Sequence, residues 1–293
     1  MRALLTVVAL CVLTPLAPAA HADPLGVRPS YSERALSRVA NSRAIDRRIW
    51  APGIDDGFVP QGVTFAGGAL YLASYQSRSK SRSRGPCRLY RIDPDSGKTM
   101  GTLDLPDTCG HAGGVARGPG GTLLVADTRA VFIVKLEGKA KGGIGRVVRS
   151  IRLDGDVRGS FAAGNGPFVW LGTYRKGATG KIYEFRIKDM PDVIDETMAV
   201  RSLELPRRSQ GAAFDAKGRL WVSQSSGKFG TIARLDLKDG RIVESFSTAI
   251  GVEDLSFDPA GRLWTVSEAG SIRWSKWRQY FPVLYRLDVR KLK

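Results

Sequence analysis

Histidine is almost absent from this chain of 293 residues, which holds only His21 and His111. That scarcity excludes every metal site needing two or three imidazoles, HExxH sites included. Acidic residues are short as well: 28 Asp and Glu face 45 Lys and Arg, a formal net charge of +17. Such an excess favours anionic partners and says little about fold. There is no Gly-x-Ser-x-Gly nucleophile turn, no Gly-x-Gly-x-x-Gly, and no phosphate loop ending in Gly-Lys-Ser/Thr. Specific nucleic-acid binding is not expected. The apolar run Ala3 to Leu13 is too short to span a bilayer, and no later segment could, so no transmembrane segment is expected.

The first 22 residues carry one charge, Arg2, then that apolar run, then Ala20-His21-Ala22 before Asp23. This is the pattern of a secretory signal peptide cleaved after Ala22, and it predicts an exported protein, periplasmic or secreted. Cleavage removes one basic residue and no acid, leaving +16. Of three cysteines, Cys11 departs with the leader; Cys87 and Cys109 remain and, in an oxidising compartment, are expected to form a disulfide.

Glycine-turned hairpins dominate what remains. The phrase SQGAAFDAKGRLWVSQ from Ser209 recurs as PQGVTFAGGALYLASY from Pro60, HAGGVARGPGGTLLVAD from His111, GSFAAGNGPFVWLGTY from Gly159 and VEDLSFDPAGRLWTVSE from Val252. Anchored on Gly62, Gly114, Ser160, Gly211 and Asp254, the spacings are 52, 46, 51 and 43 residues. All-strand repeats of this length predict an all-β fold, a β-propeller. Each repeat supplies four strands except the fifth, which ends one short, while Ala44 to Trp50 alternates as one spare strand. Five four-stranded blades closed by that N-terminal strand follow, a six-bladed ring having no room in residues 23–56. Residues 23–42 read as a basic, loosely attached arm with a helical turn capped at Ser32, residues 43–293 as the propeller, and a monomer is expected.

Propeller topology brings first-strand starts and second-strand ends to one face. Gln61, His111, Ser160, Gln210 and Glu253 come from the former; Tyr75, Gln76, Asp127, Arg129, Tyr174, Arg175, Gln224 and Glu268 from the latter. An oxygen-rich set of this kind suits a polar or anionic ligand, or a divalent cation such as Ca²⁺ held by Glu253 and Asp127. His111, Asp127 and Glu253 are the candidates for catalysis, with Asp127 placed to orient His111 as a base. Two basic loops join the same face: Ser77 to Arg84 (SRSKSRSR), which reads as disordered when taken alone, and Gly270 to Phe281, with Trp274, Trp277 and Tyr280 beside its cations. Together they suit an anionic polymer.

At the repeated Gln-Gly-x-x-Phe…Gly-x-Leu-Trp/Tyr-Val phrase, from about Pro60 to Asp288, the chain resembles exported bacterial propellers of the gluconolactonase/regucalcin and NHL-repeat kind. The resemblance implies a Glu, an Asn and an Asp at inner-strand starts around one divalent metal. Glu253 stands where that Glu would be, but Gln61 and Gln210 replace the other two, and glutamine is a poorer, neutral ligand. Relatives of this kind usually have six blades. Three readings follow: an exported propeller that binds a polar or anionic ligand at the channel mouth without chemistry, a metal-assisted hydrolase of the gluconolactonase type, and a module docking on an anionic envelope polymer.

Overall fold

A computed structural model describes residues 23–137 and 143–293, so the leader expected over residues 1–22 lies outside it. Five antiparallel blades form the ring. The first contains β2 (Phe58–Ala66), β3 (Ala69–Gln76), β4 (Cys87–Ile92) and β5 (Thr99–Asp104). The second contains β6 (Gly114–Gly118), β7 (Thr122–Asp127), β8 (Ala130–Leu136) and β9 (Gly145–Leu153). β10 (Phe161–Asn165), β11 (Phe168–Gly172), β12 (Gly180–Arg186) and β14 (Arg201–Leu205) make the third, and β15 (Ser209–Phe214) to β18 (Ile242–Ser247) the fourth. In the fifth, β19 (Val252–Phe257), β20 (Leu263–Ser267) and β21 (Val283–Leu287) are completed by β1 (Ile45–Trp50), antiparallel to β21. This is the closure expected from the spare strand. The excursion after β12 adds β13 (Val193–Ile194), a parallel edge strand on β9.

The repeated phrase makes this fold for local reasons. Asp215 accepts the N–H groups of Lys217 and Arg219 and the indole N–H of Trp221, and Asp258 does the same for Ala260, Arg262 and Trp264. Each carboxylate thus ties a turn to the tryptophan of the strand that follows it. Burial falls from the axis outward: β19 is buried throughout, whereas outer β18 alternates towards solvent. Five apolar clusters fill the ring, each drawn from neighbouring blades. The one at the closure packs Ile49, Trp264, Val266 and Leu284 against Val63, Leu70 and Leu72.

Residues 23–42 are not loosely attached, and no helical turn forms at Ser32. Leu25 bridges Ile49 in parallel, Asp55 accepts the N–H groups of Ser30 and Tyr31, and the Arg34 guanidinium donates to the carbonyls of Ser275, Trp277 and Arg278. The arm covers the edge that β1 would otherwise expose, a constraint invisible in its polar composition. Among the described residues no helix is long and apolar enough to cross a membrane.

Cys87 and Cys109 form a disulfide with their Cα atoms 5.8 Å apart, joining the first blade to the loop that enters the second. Closing a loop of 22 residues contributes roughly 3 kcal/mol by restricting the unfolded chain. The Cys87→Ala/Cys109→Ala double variant should therefore unfold at lower denaturant with an unchanged ligand response. Equal midpoints for variant and parent would show that the bridge contributes nothing.

Candidate functional site

Inner strands meet backbone to backbone near the ring axis. A Cβ added at Gly62 would lie 2.8 Å from the Gly114 carbonyl carbon, and one at Gly211 only 2.3 Å from the Cα of Asp254. This explains the repeated glycine. In the fifth blade the same position is Asp254, fully buried, whose Oδ2 accepts the N–H groups of Val63 (3.1 Å) and Val115 (2.9 Å) from the first and second blades. Its carboxylate plugs the axis by binding strand amides that have no ladder partner. Burial pushes the Asp254 carboxyl well above its ordinary range, against the pull of those amides.

Above this plug lies a cavity of about 660 Å³. β-Bulges fall at Gln61 and Gly62, at Gln210, and at Glu253 and Asp254, re-aiming the side chains at three strand starts. Gln210 Nε2 donates to Glu253 at 3.1 Å, and Gln61 Nε2 donates to Glu268 at 3.1 Å. The Trp274 indole N–H also donates to Glu268, at 2.6 Å. Glu253 and Glu268, 2% and 7% exposed, lie near enough for each to shift the other's pKa. Burial, then the neighbouring Glu268 and Asp254 charges, drive the Glu253 carboxyl far up. Burial pushes Glu268 to about 7, restrained by the N–H groups of Trp274 and Gln61.

Tyr75, His111, Ser160, Tyr174 and Arg175 also line the cavity, as expected from topology. His111 stacks on Tyr75 with ring centroids 4.6 Å apart, and its Nδ1–H donates to the Ser83 carbonyl at 3.2 Å. Burial lowers its pKa, so the ring is neutral with Nε2 free to accept. Asp127 does not orient that ring. Its Oδ1 accepts the backbone N–H groups of Gly110, His111 and Ala112, and Arg84 lies 3.6 Å from Oδ2. Asp127 therefore holds the loop that carries His111.

Gln76, Asp127, Arg129, Gln224 and Glu253 are not part of the cavity wall. Gln76 donates to the Asp56 carbonyl and Gln224 to the Arg207 carbonyl. Tyr280 is buried against Trp50 and Tyr31, so it cannot grip a ligand beside Trp274 and Trp277. The serine-arginine loop is ordered by Arg273, 8% exposed, whose guanidinium donates to Ser77 Oγ and to the carbonyls of Ser79, Lys80 and Arg82.

His111, Asp127 and Glu253 do not form a metal cluster. Among the described residues the one group of three ligating side chains within 4.8 Å is Cys87, Cys109 and Asp127, and its thiols are consumed by the disulfide. Around Glu253 and Glu268 the neighbours are N–H donors. That is a setting for a carboxyl–carboxylate pair, and it does not fit Ca²⁺, which takes a shell of oxygens.

The cavity's other wall is cationic. Arg158, Arg175, Lys176 and Arg208 line it, and among the described residues none of them has a carboxylate within ion-pair distance. Arginines on the blade flanks do pair, for example Arg201 with Glu184 and Arg286 with Asp46. Arg208 adopts a left-handed backbone, φ 64°, with its N–H donating to the Arg175 carbonyl at 2.8 Å. Sequence reasoning missed Arg158, Lys176, Arg208 and Asp254. Only Asp254 left a signal, as the one acid in the column of repeat anchors.

No protein-family model matches the sequence, and no curated protein matches it. Solved structures similar to it include the glutaminyl cyclase of Myxococcus xanthus, 13% identical over 83% of this chain and 94% of that one, with a TM-score of 0.57. The PQQ-bound aldose sugar dehydrogenase of Streptomyces coelicolor is 16% identical over 86% and 99%, TM-score 0.49. A calcium-binding regucalcin of Agrobacterium tumefaciens is 15% identical over 86% and 93%, TM-score 0.43. At 13% identity the likeness to the glutaminyl cyclase is one of fold alone, and by its own strand order the chain is a five-bladed β-propeller.

Proposed function

We propose that this protein is an exported propeller that binds a small polyanionic ligand in the channel-mouth cavity. The observation that carries the reading is the wall of Arg158, Arg175, Lys176 and Arg208, none with an acidic partner among the described residues. Like charges gathered here repel one another: burial and then Arg129 and Arg175 lower the Arg158 pKa, outweighing the opposite pull of Asp156 and Glu196. A bound anion relieves that repulsion and accepts the guanidinium N–H groups in pairs. The left-handed backbone at Arg208 supports the same view, since strain at a non-glycine residue is a feature of functional sites. The metal-assisted hydrolase has no ligand set to rest on, because Glu253, Asp127 and His111 serve separate partners.

Thermal unfolding with and without tripolyphosphate tests this. A ligand at a hundred times its dissociation constant stabilises the native state by about 2.7 kcal/mol. Arg208→Gly should leave the fold as stable or up to about 1 kcal/mol more so, because glycine accepts the left-handed backbone. It should also lose most of the tripolyphosphate shift. A full shift in the variant, or none in the parent, would sink the reading.

A further inference from the structure

A second cavity, again about 660 Å³, opens between the third and fourth blades. Lys176, Arg207 and Arg208 line it together with Gln224, Phe229 and Thr231, and no acid does. Lys176 and Arg208 line both cavities, which therefore adjoin one another across these two residues. The wall between them is fixed by hydrogen bonds: Arg208 N–H to the Arg175 carbonyl at 2.8 Å, Ser225 N–H to the Arg208 carbonyl at 3.2 Å, and Gln224 Nε2 to the Arg207 carbonyl at 2.9 Å. Arg207 has no ion-pair partner among the described residues. Its side chain is exposed.

The geometry points to a second anion subsite at Arg207, adjoining the channel-mouth cavity across Lys176 and Arg208, so that the protein holds a linear chain of phosphate groups over both. The inference rests on the anion-binding reading of the first cavity. A water's share of liquid volume is about 30 Å³, so each cavity has room for roughly twenty such volumes, far more than one phosphate fills. A single anion occupies one cavity. A chain reaches the second without another bimolecular step, and its affinity multiplies accordingly. Guanidinium forks and a lysine in a row suit phosphate oxygens repeated along a backbone.

Calorimetric titration at low salt with tripolyphosphate, long-chain polyphosphate and polygalacturonate tests it. The parent protein should bind the long chain at least about tenfold more tightly than tripolyphosphate. Arg207→Ala should remove most of that advantage, leave tripolyphosphate binding and the melting temperature unchanged, and flatten the salt dependence of chain binding by about one counterion. Arg207→Glu should weaken the chain further. Equal affinity of the parent for the chain and tripolyphosphate, or an Arg207→Ala protein that binds the chain as the parent does, would overturn the second subsite. Polygalacturonate binding as tightly as polyphosphate would overturn the phosphate class. A parent that does not bind tripolyphosphate but binds the chain through Arg207 would sink the channel-mouth reading and the chain spanning both cavities, leaving only an anion site at Arg207. Failure of both ligands to bind would sink both.

Discussion

Deleting residues 44–50 abolishes cooperative unfolding, whereas deleting residues 23–42 lowers the melting temperature of a protein that still folds. The first deletion removes β1, the outer strand of the last blade, together with Ile49 and Trp50. It strips β21 of its ladder partner, leaving an open edge. It also takes Ile49 out of the cluster that packs the fifth blade on the first. Ile49→Ala alone should cost about 2–5 kcal/mol, a large part of the stability of an ordinary domain. The second deletion leaves the ring closed. It loses the hydrogen bonds of Ser30, Tyr31 and Arg34, and Val39, buried beside Trp50. Circular dichroism melts decide between them: matching melting temperatures would mean that β1 does not close the ring.

Blade number and closure were legible because each blade is written as one turn-centred phrase, and a strand missing at one end had to be found at the other. The face carrying the cavity was legible too, since strand polarity alone assigns Gln61, Ser160, Gln210 and Glu268 to it. Which side chains meet there was not. Side chains alternate along a strand, so Tyr75 turns inward and Gln76 outward, and one residue of register decides which. The bulges at Gln61, Gln210 and Glu253 shift that register locally, and nothing in the composition of those segments announces them. Asp127 was misread because a carboxylate at a strand end can serve a ligand or its own loop, and the loop supplied three N–H groups first. The unpaired state of Arg158 and Arg208 depends on where every acid in the chain falls, which only the folded molecule specifies.

The Glu253–Glu268 pair makes stability depend on pH in a definite direction. Glu268 titrates at about 7 in the folded protein against an ordinary 4.5, so the native state holds the proton more tightly than the unfolded chain does. Its contribution is complete below pH 4.5 and is lost as pH rises through 7. At about 1.4 kcal/mol per unit over the interval from 4.5 to about 7, the loss by pH 8 is at most about 3.5 kcal/mol. Glu268→Gln retains an oxygen for the N–H groups of Trp274 and Gln61 and cannot ionise. The variant should therefore match the parent near pH 5 and exceed it at pH 8. His111, whose pKa burial lowers, drives stability the other way, upward with pH, and Asp254 titrates as well. The difference between variant and parent at each pH removes both contributions, provided their pKa values do not move. Glu253→Gln replaces the neighbouring carboxyl with an amide that can offer an N–H to Glu268, so its own pH-dependent loss should shrink. Guanidinium denaturation at pH 5 and pH 8 measures all three proteins. A difference between Glu268→Gln and parent that does not change with pH would mean that Glu268 keeps one charge state from pH 5 to pH 8, and that burial does not bring its titration into that range.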